Sequence, residues 1–154
     1  MKVSKLDNDI RTKSIMFAHS AAAYRSVSLQ IASKDGENFD LWNFMFVGAP
    51  IMHMALELIV KASVMLDDAT YKPKDGGHKT SDLIKKYADE VGVLKLIRDD
   101  TEKMSLIKEL EVGWEGLRYG ECGIQSDGKD SRVFNDIMEL LIGEYQKRSG
   151  LRTL

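Results

Sequence analysis

The amino-acid sequence predicts an all-α fold, a helical bundle in a single domain that covers residues 1–154. Apolar residues recur at helical spacing in four or five segments. Only two prolines occur, and the glycines cluster between those segments, as they do in loops that join helices. No segment alternates apolar and polar residues as a strand does. A chain of 154 residues that is 44% hydrophobic is long enough to bury one compact core.

The helices are placed by their apolar stripes and by the polar turns between them. The spacing predicts helices over about residues 7–33, 50–66, 78–91, 100–117 and 131–147. A short helical lead-in from residue 41 is expected to break near Gly48. Pro50 then lies in the first turn of the second helix, where its missing N–H costs no hydrogen bond. Gly92 is a candidate helix stop, residues 93–99 are expected to form a short turn, and Ser131 is a candidate N-cap.

The first and last helices each have an apolar stripe that is expected to face the core. On the first helix the stripe consists of Met16, Ala23, Val27 and Ile31, widened by Ala22 and Leu29. On the last helix it consists of Val133, Ile137, Leu140, Leu141 and Tyr145.

Charge argues against a protein that holds a polyanion by its overall field. The formal net charge is -2 and the pI about 5.9, so any contact with nucleic acid must come from a local patch. Three clusters of basic residues occur, and each is interpreted as a solvated surface. They are Lys72, Lys74 and Lys79; Lys85 and Lys86; and Lys147, Arg148 and Arg152.

A cytoplasmic location is expected. The one cysteine, Cys122, excludes an internal disulfide, and a lone thiol fits a reducing compartment. The first residues lack the uninterrupted apolar run of a signal peptide. The longest apolar stretch, residues 44–66, is interrupted by a proline and by charged residues, which disfavours a membrane span.

The stretch HMALELIVKASVML, residues 53–66, places three polar side chains on one stripe of an otherwise apolar helix: His53, Glu57 and Lys61. Glu57 and Lys61 stand in the favourable order for an ion pair four residues apart. They are interpreted either as a pair that orients the bundle, joined by Arg118 or His78, or as groups that face a ligand. His53 and Glu57 offer two metal ligands without a third, and no cofactor motif occurs, so neither a metal nor a cofactor is predicted.

Three pieces in order, HMALELIVKASVML, GHKTSDLIKKYADE and WEGLRYGE, resemble the HEPN domain, a helical module named for higher eukaryotes and prokaryotes and for nucleotide binding. The matching positions are Glu57 and Lys61 on the long helix, His78 with Asp82 and Leu83 at the next helix, and the pair Arg118 and Tyr119. The resemblance spans about residues 15–148. It implies an up-and-down four-helix bundle with one or two short extra helices that dimerises through its central helices.

The resemblance also implies two alternative functions. Many HEPN members are ribonucleases, toxins or phage-defence effectors, in which an Arg is followed after four to six residues by a His. Here Gly123, Ile124 and Gln125 hold those places after Arg118. No other arginine of the chain has the required spacing to a histidine; Arg11 and His19 are one residue too far apart.

The first hypothesis is therefore a noncatalytic module that forms a homodimer and binds a protein partner, such as an antitoxin or a nucleotidyltransferase-like protein, or an RNA or nucleotide. Its setting would be prokaryotic defence or a toxin–antitoxin system. The second hypothesis is a metal-independent, RNA-cleaving enzyme with a rearranged site around Arg118, Tyr119, His78 and Glu57. The dimer is expected to form through the helix at 50–66, because a helix apolar on nearly every side exceeds what three neighbours cover.

Overall fold

The computed structural model describes residues 5–32, 44–74, 77–118 and 128–154. In these ranges the chain forms six α-helices and one π-helical turn, and it contains no strand. The elements are α1 (Lys5–Ala32), the π turn (Phe44–Gly48), α2 (Ala49–Asp67), α3 (Thr80–Tyr87), α4 (Gly92–Arg98), α5 (Thr101–Arg118) and α6 (Gly128–Ser149). The predicted all-α fold is confirmed. Helices α2 and α5 agree with the sequence-based ranges to within one residue at each end.

Helix α2 is the central element of the fold. Helices α1, α5 and α6 pack along it, and α3 contacts it as well. Pro50 lies in its first turn, as predicted. The expected break near Gly48 is wrong, because Gly48 has helical backbone angles and α2 continues directly from the π turn. Of its 19 residues, 14 are buried, so the neighbours in a single chain cover most of its surface.

The predicted stripe of α1 is correct only at its edge, where Ala22 and Leu29 are partly buried against the core. Met16 and Val27 are 61% and 44% exposed, and Ala23 is exposed as well. The buried face consists of small residues, among them Ala18 and Ala21, which have no exposed surface. Small side chains let α1 approach α2 so closely that a larger stripe is not needed there, which explains why the more hydrophobic stripe is left outside.

The segment between the second and fourth predicted helices contains two short helices rather than one. Helix α3 ends at Tyr87, Val91 has an extended backbone, and Gly92 begins α4 instead of stopping a helix. The expected turn at residues 93–99 is therefore wrong. Helical spacing of Tyr87 and Val91 misled the prediction, because both residues are buried although they lie on either side of a break in the helix.

Helix α6 begins at Gly128, three residues before the predicted N-cap Ser131. Four of its five predicted core residues, Val133, Ile137, Leu141 and Tyr145, are buried. Leu140 is 39% exposed, contrary to prediction. The buried hydroxyl of Ser14 on α1 donates its one hydrogen to the Ala62 carbonyl at 2.9 Å, and it accepts a hydrogen bond from the Tyr145 hydroxyl at 2.8 Å. These bonds join α1, α2 and α6.

Candidate functional site

The carboxylate of Glu57 is the centre of a polar cluster at the side of α2. Its Oε1 accepts a hydrogen bond from Lys61 Nζ at 2.6 Å, and its Oε2 lies 2.9 Å from His78 Nδ1. Glu57 and Lys61 lie on consecutive turns of α2, while His78 comes from the segment before α3. Glu57 and Lys61 are only 8% and 7% exposed. Of the two residues that the sequence offered as a third partner, Arg118 and His78, the structure shows His78 in contact with the pair of Glu57 and Lys61.

Lys61 also fixes the backbone of the segment before α3. Its ammonium donates a second hydrogen bond to the carbonyl of Gly77 at 2.9 Å. Gly77 has a φ of +54°, in the left-handed region that favours glycine. The bond that Lys61 donates to Gly77 and the contact between His78 and the Glu57 carboxylate attach two consecutive residues of this segment to α2. We call the three residues Glu57, Lys61 and His78 the clamp.

Hydrogen bonding keeps Glu57 charged despite its burial. Burial by itself raises the pKa of Glu57, because a carboxylate loses its hydration in the interior. The hydrogen bonds from Lys61 and His78, and their positive charge, outweigh burial and bring the pKa below its ordinary value. The clamp is therefore a compensated ion pair, in which the charge of Glu57 is used within the protein.

His53 lies beside the clamp as a neutral ring. Burial lowers its pKa to about 4, although the charge of Glu57 acts in the opposite direction. Its Nε2 is 3.7 Å from Glu57 Oε2 and has no hydrogen-bond partner among the described residues. The ring stacks on Trp114 of α5, with 5.7 Å between the ring centroids and 26° between the planes. Among the described residues, stacking on Trp114 is the contact that holds the His53 ring in place.

His78 is the one accessible member of the cluster. Its side chain is 52% exposed, against 10% for Glu57 and 8% for Lys61. Its ring also contacts the edge of Trp114, at 6.3 Å between centroids and 61° between planes. With Nδ1 directed at a carboxylate, Nε2 is the nitrogen that is left to exchange a proton with another group.

A second contact, partly buried and missed by sequence reasoning, holds the start of α3. Glu111 of α5 accepts hydrogen bonds from the backbone N–H of Ser81 and, at 2.7 Å, from the Ser81 hydroxyl. Burial raises the pKa of Glu111, and these hydrogen bonds oppose the shift. Since the two residues are 30 positions apart in sequence, no local capping pattern reveals this contact.

Two of the predicted site residues are not placed by the structure. Arg118 is the last residue of α5, but its side chain lies outside the described residues, as does Tyr119. Cys122 also lies outside them. A direct contact between Arg118 and the clamp therefore stays a prediction.

Two further observations concern metals and membranes. Among the described residues, no group of three or more His, Cys, Asp or Glu side chains is arranged to hold a metal ion.

The segment Phe46–Asp67 is long and apolar enough to cross a membrane, yet 78% of its most apolar window is buried inside the protein.

A comparison with known protein families, curated proteins and solved structures finds no match for this chain. The resemblance to HEPN domains therefore depends on the short sequence pieces described above.

Proposed function

We propose that this protein is a noncatalytic, HEPN-like module that acts by dimerisation and binding. The observation that carries this proposal is the engagement of Glu57. Both of its oxygens are engaged by side chains of the protein, at 2.6 Å and 2.9 Å. Together with the bond from Lys61 to the Gly77 carbonyl, these contacts attach Gly77 and the ring of His78 to α2. The prokaryotic defence or toxin–antitoxin setting, and a four-helix HEPN-like arrangement, follow from the sequence resemblance alone.

The chemistry of the clamp supports a structural role for it. A buried ion pair repays its desolvation only where hydrogen bonds satisfy both partners, and here Lys61 bonds to Glu57 and to Gly77. The adjacent His53 is buried and uncharged. Of the four groups on this side of α2, only His78 is accessible enough to touch a ligand.

The surface for a second copy is placed on α1 in this proposal. Dimerisation through α2 was expected because that helix is apolar on nearly every side, but a single chain already covers it, and Met65 is only 4% exposed. The outward stripe of α1 is different. Met16 and Val27 lie 11 residues apart, about 16 Å along the helix, with Ala23 between them.

The composition of that stripe favours a second copy of the chain as its occupant. The exposed residues of α1 between positions 16 and 30 include no Lys, Arg, Asp or Glu. A two-fold contact brings the same patch of both chains together, and an uncharged patch does so without like-charge repulsion. Ser20 and Ala23 are small enough to let two copies of α1 approach closely.

Sedimentation velocity at micromolar concentration tests the dimer. We expect the wild type to sediment as a dimer and the variant Met16→Glu/Val27→Glu as a monomer. Val112→Glu is the matched control, since Val112 is 66% exposed on α5 and away from the stripe. A monomeric wild type, or a dimer that survives the double substitution, contradicts the proposed contact.

The second candidate function is RNA cleavage, and the geometry of His78 favours it. A half-exposed histidine whose Nδ1 is held by a carboxylate resembles the base and orienting group of many acid–base enzymes. In this alternative His78 moves a proton at the ribose hydroxyl, Glu57 orients it, and Arg118 and Tyr119 contact the phosphate.

Incubation of the purified protein with single-stranded and structured RNA separates the two candidates. The binding module predicts no cleavage by the wild type. Cleavage that persists through repurification, is lost in His78→Ala and Arg118→Ala, and is kept in His19→Ala would establish the enzyme instead. His19 is a suitable control because it is exposed on α1 and belongs to neither the clamp nor α3.

A further inference from the structure

A cavity of about 370 Å³ lies between α3 and the segment that follows α2. Three lysines line it: Lys72 from the segment after α2, Lys79 just before α3, and Lys86 in the last turn of α3. In the sequence, these lysines belong to two separate basic clusters, each of which was interpreted as solvated surface. The fold brings members of both clusters to one cavity.

The geometry of α3 explains how its two lysines reach the same cavity. The lining residues from this part of the chain are Lys79, Asp82, Leu83, Lys86 and Tyr87. Their spacing of three, four, seven and eight positions places them on one face of a helix. Lys79 and Lys86 are seven residues apart, about 10 Å along the helix axis, and Lys72 stands on the opposite wall.

The three lysines of this cavity form no salt bridge with any residue that the structure describes. Lys86 lies over the ring of Tyr87, 5.2 Å from its centroid. Two carboxylates, Asp68 and Asp82, also line the cavity. Asp68 accepts hydrogen bonds from Thr70 and from the Tyr87 hydroxyl, which hold its oxygens at the wall but leave its negative charge. Both carboxylates therefore oppose an anionic ligand, and the three lysines exceed them by one charge.

The start of α3 contributes little to this cavity. The Ser81 N–H in its first turn is bonded to Glu111, so a protein carboxylate already occupies that position. Attraction for an anion comes from the lysine side chains instead.

We propose that this cavity binds a diphosphate, either free pyrophosphate or the diphosphate of a nucleotide. Two linked phosphates let Lys79 and Lys86, at either end of α3, each bind a different one, whereas a single phosphate leaves one of these lysines without a partner. Lysine is a common phosphate ligand, and cavities for small molecules begin at about 300 Å³. This site is separate from the clamp and does not rest on the proposed dimer or on RNA cleavage.

Isothermal titration calorimetry of the full chain at matched ionic strength tests the proposal, with pyrophosphate, ADP and orthophosphate as probes. We expect pyrophosphate or ADP to bind more tightly than orthophosphate. Tighter binding of ADP than of pyrophosphate assigns the ligand to the nucleotides, and the reverse order assigns it to free pyrophosphate. Raising the salt concentration should weaken the binding, because exposed charges are screened.

Substitutions that remove either a positive or a negative charge from the cavity test the site. We expect Lys79→Gln to weaken pyrophosphate or ADP binding about two- to fivefold, and Lys79→Gln/Lys86→Gln about tenfold. Asp82→Asn should tighten it about two- to fivefold, since it removes an opposing charge. Lys95→Gln, at an exposed lysine of α4 outside the cavity, should leave the affinity unchanged.

Three results would overturn the proposal. The first is the absence of binding by both pyrophosphate and ADP at concentrations up to about 5 mM. The second is an affinity that Lys79→Gln/Lys86→Gln and Asp82→Asn leave unchanged. The third is binding of a single-stranded oligonucleotide through these lysines without binding of either diphosphate, which would identify the surface as a contact for a phosphodiester backbone.

Discussion

Replacing Lys61 with methionine tests whether the clamp is a buried, compensated pair. The substitution keeps most of the apolar part of the side chain and removes the ammonium. Glu57, which is 8% exposed in the wild type, is then left with His78 as its hydrogen-bonding partner among the described residues. Removing one member of a buried pair typically costs about 3–5 kcal/mol. Because His78 stays in place, we expect a loss near the lower end, about 3 kcal/mol at pH 7.

The exposed pair of Asp9 and Lys13 provides the matched control. It has the same spacing of four residues and a distance of 2.9 Å, but its side chains are 57% and 54% exposed. Pairs of this kind contribute about 0.3–0.5 kcal/mol. Lys13→Met should therefore leave the free energy of unfolding nearly unchanged, and urea denaturation followed by circular dichroism measures both variants.

The pH dependence gives this experiment its sharpest readout. In the wild type the folded pKa of Glu57 is below its unfolded value, so its stabilisation is complete above the unfolded pKa and is lost as the pH falls through the folded pKa. In Lys61→Met burial is no longer offset, and the folded pKa should rise above the unfolded one. The variant then gains stability relative to the wild type as the pH is lowered from 7 through that raised pKa.

Two results would refute this reasoning. One is a loss below about 1 kcal/mol at pH 7, the value of a solvent-screened pair. The other is a difference in free energy of unfolding between the wild type and Lys61→Met that does not become smaller as the pH is lowered. The double variant Glu57→Leu/Lys61→Met removes both charges. Its free energy of unfolding should lie within about 1 kcal/mol of the wild-type value, since apolar replacement of a buried pair is often neutral.

Three further predictions concern the buried groups around the clamp and the core. The folded pKa of His53, about 4, lies below its unfolded value, so the wild type should lose up to about 3 kcal/mol of stability as the pH falls from 6.5 to 4. In His53→Leu, the free energy of unfolding measured by denaturation should change much less over this pH range. Tyr145→Phe removes the hydroxyl beside Ser14 and should lower the free energy of unfolding in urea by about 1 kcal/mol; an unchanged midpoint would show that this contact contributes nothing. Glu111→Ala leaves the start of α3 without its acceptor and should cost about 1 kcal/mol, with faster amide hydrogen exchange in α3 than in α6.

Helical spacing was sufficient to predict the all-α class and the ranges of α2 and α5, because in these helices the apolar residues are also the buried ones. It failed for α1, where Met16 and Val27 face outward and Ala18 and Ala21 face inward. Periodicity reports that a stripe exists but not which of two stripes is covered, and close helix packing can favour the smaller residues. At residues 80–98 the period continued across a break, so two helices were read as one and a turn.

The candidate site was predictable only where its residues lie on one helix. Glu57 and Lys61 are four residues apart on one helix, so their contact follows from helix geometry. The contacts of Glu57 with His78 and of Glu111 with Ser81 join residues 21 and 30 positions apart, and only the folded chain brings them together. The lysine cavity likewise depends on how α3 lies against the segment after α2.

The clamp and the lysine cavity are joined by one short piece of backbone, and this makes a further effect of Lys61→Met testable. Lys61 holds Gly77 and Glu57 holds His78, and the next residue, Lys79, lines the cavity. If the clamp fixes the backbone from which Lys79 projects, its loss should weaken diphosphate binding about two- to fivefold, comparable to the loss of Lys79 itself. The measurement is made well below the denaturation midpoint, where Lys61→Met is still folded, with Lys13→Met as the control. Equal affinities of the two variants would show that the position of Lys79 is set by α3 alone, since Glu111 anchors the start of that helix independently of the clamp.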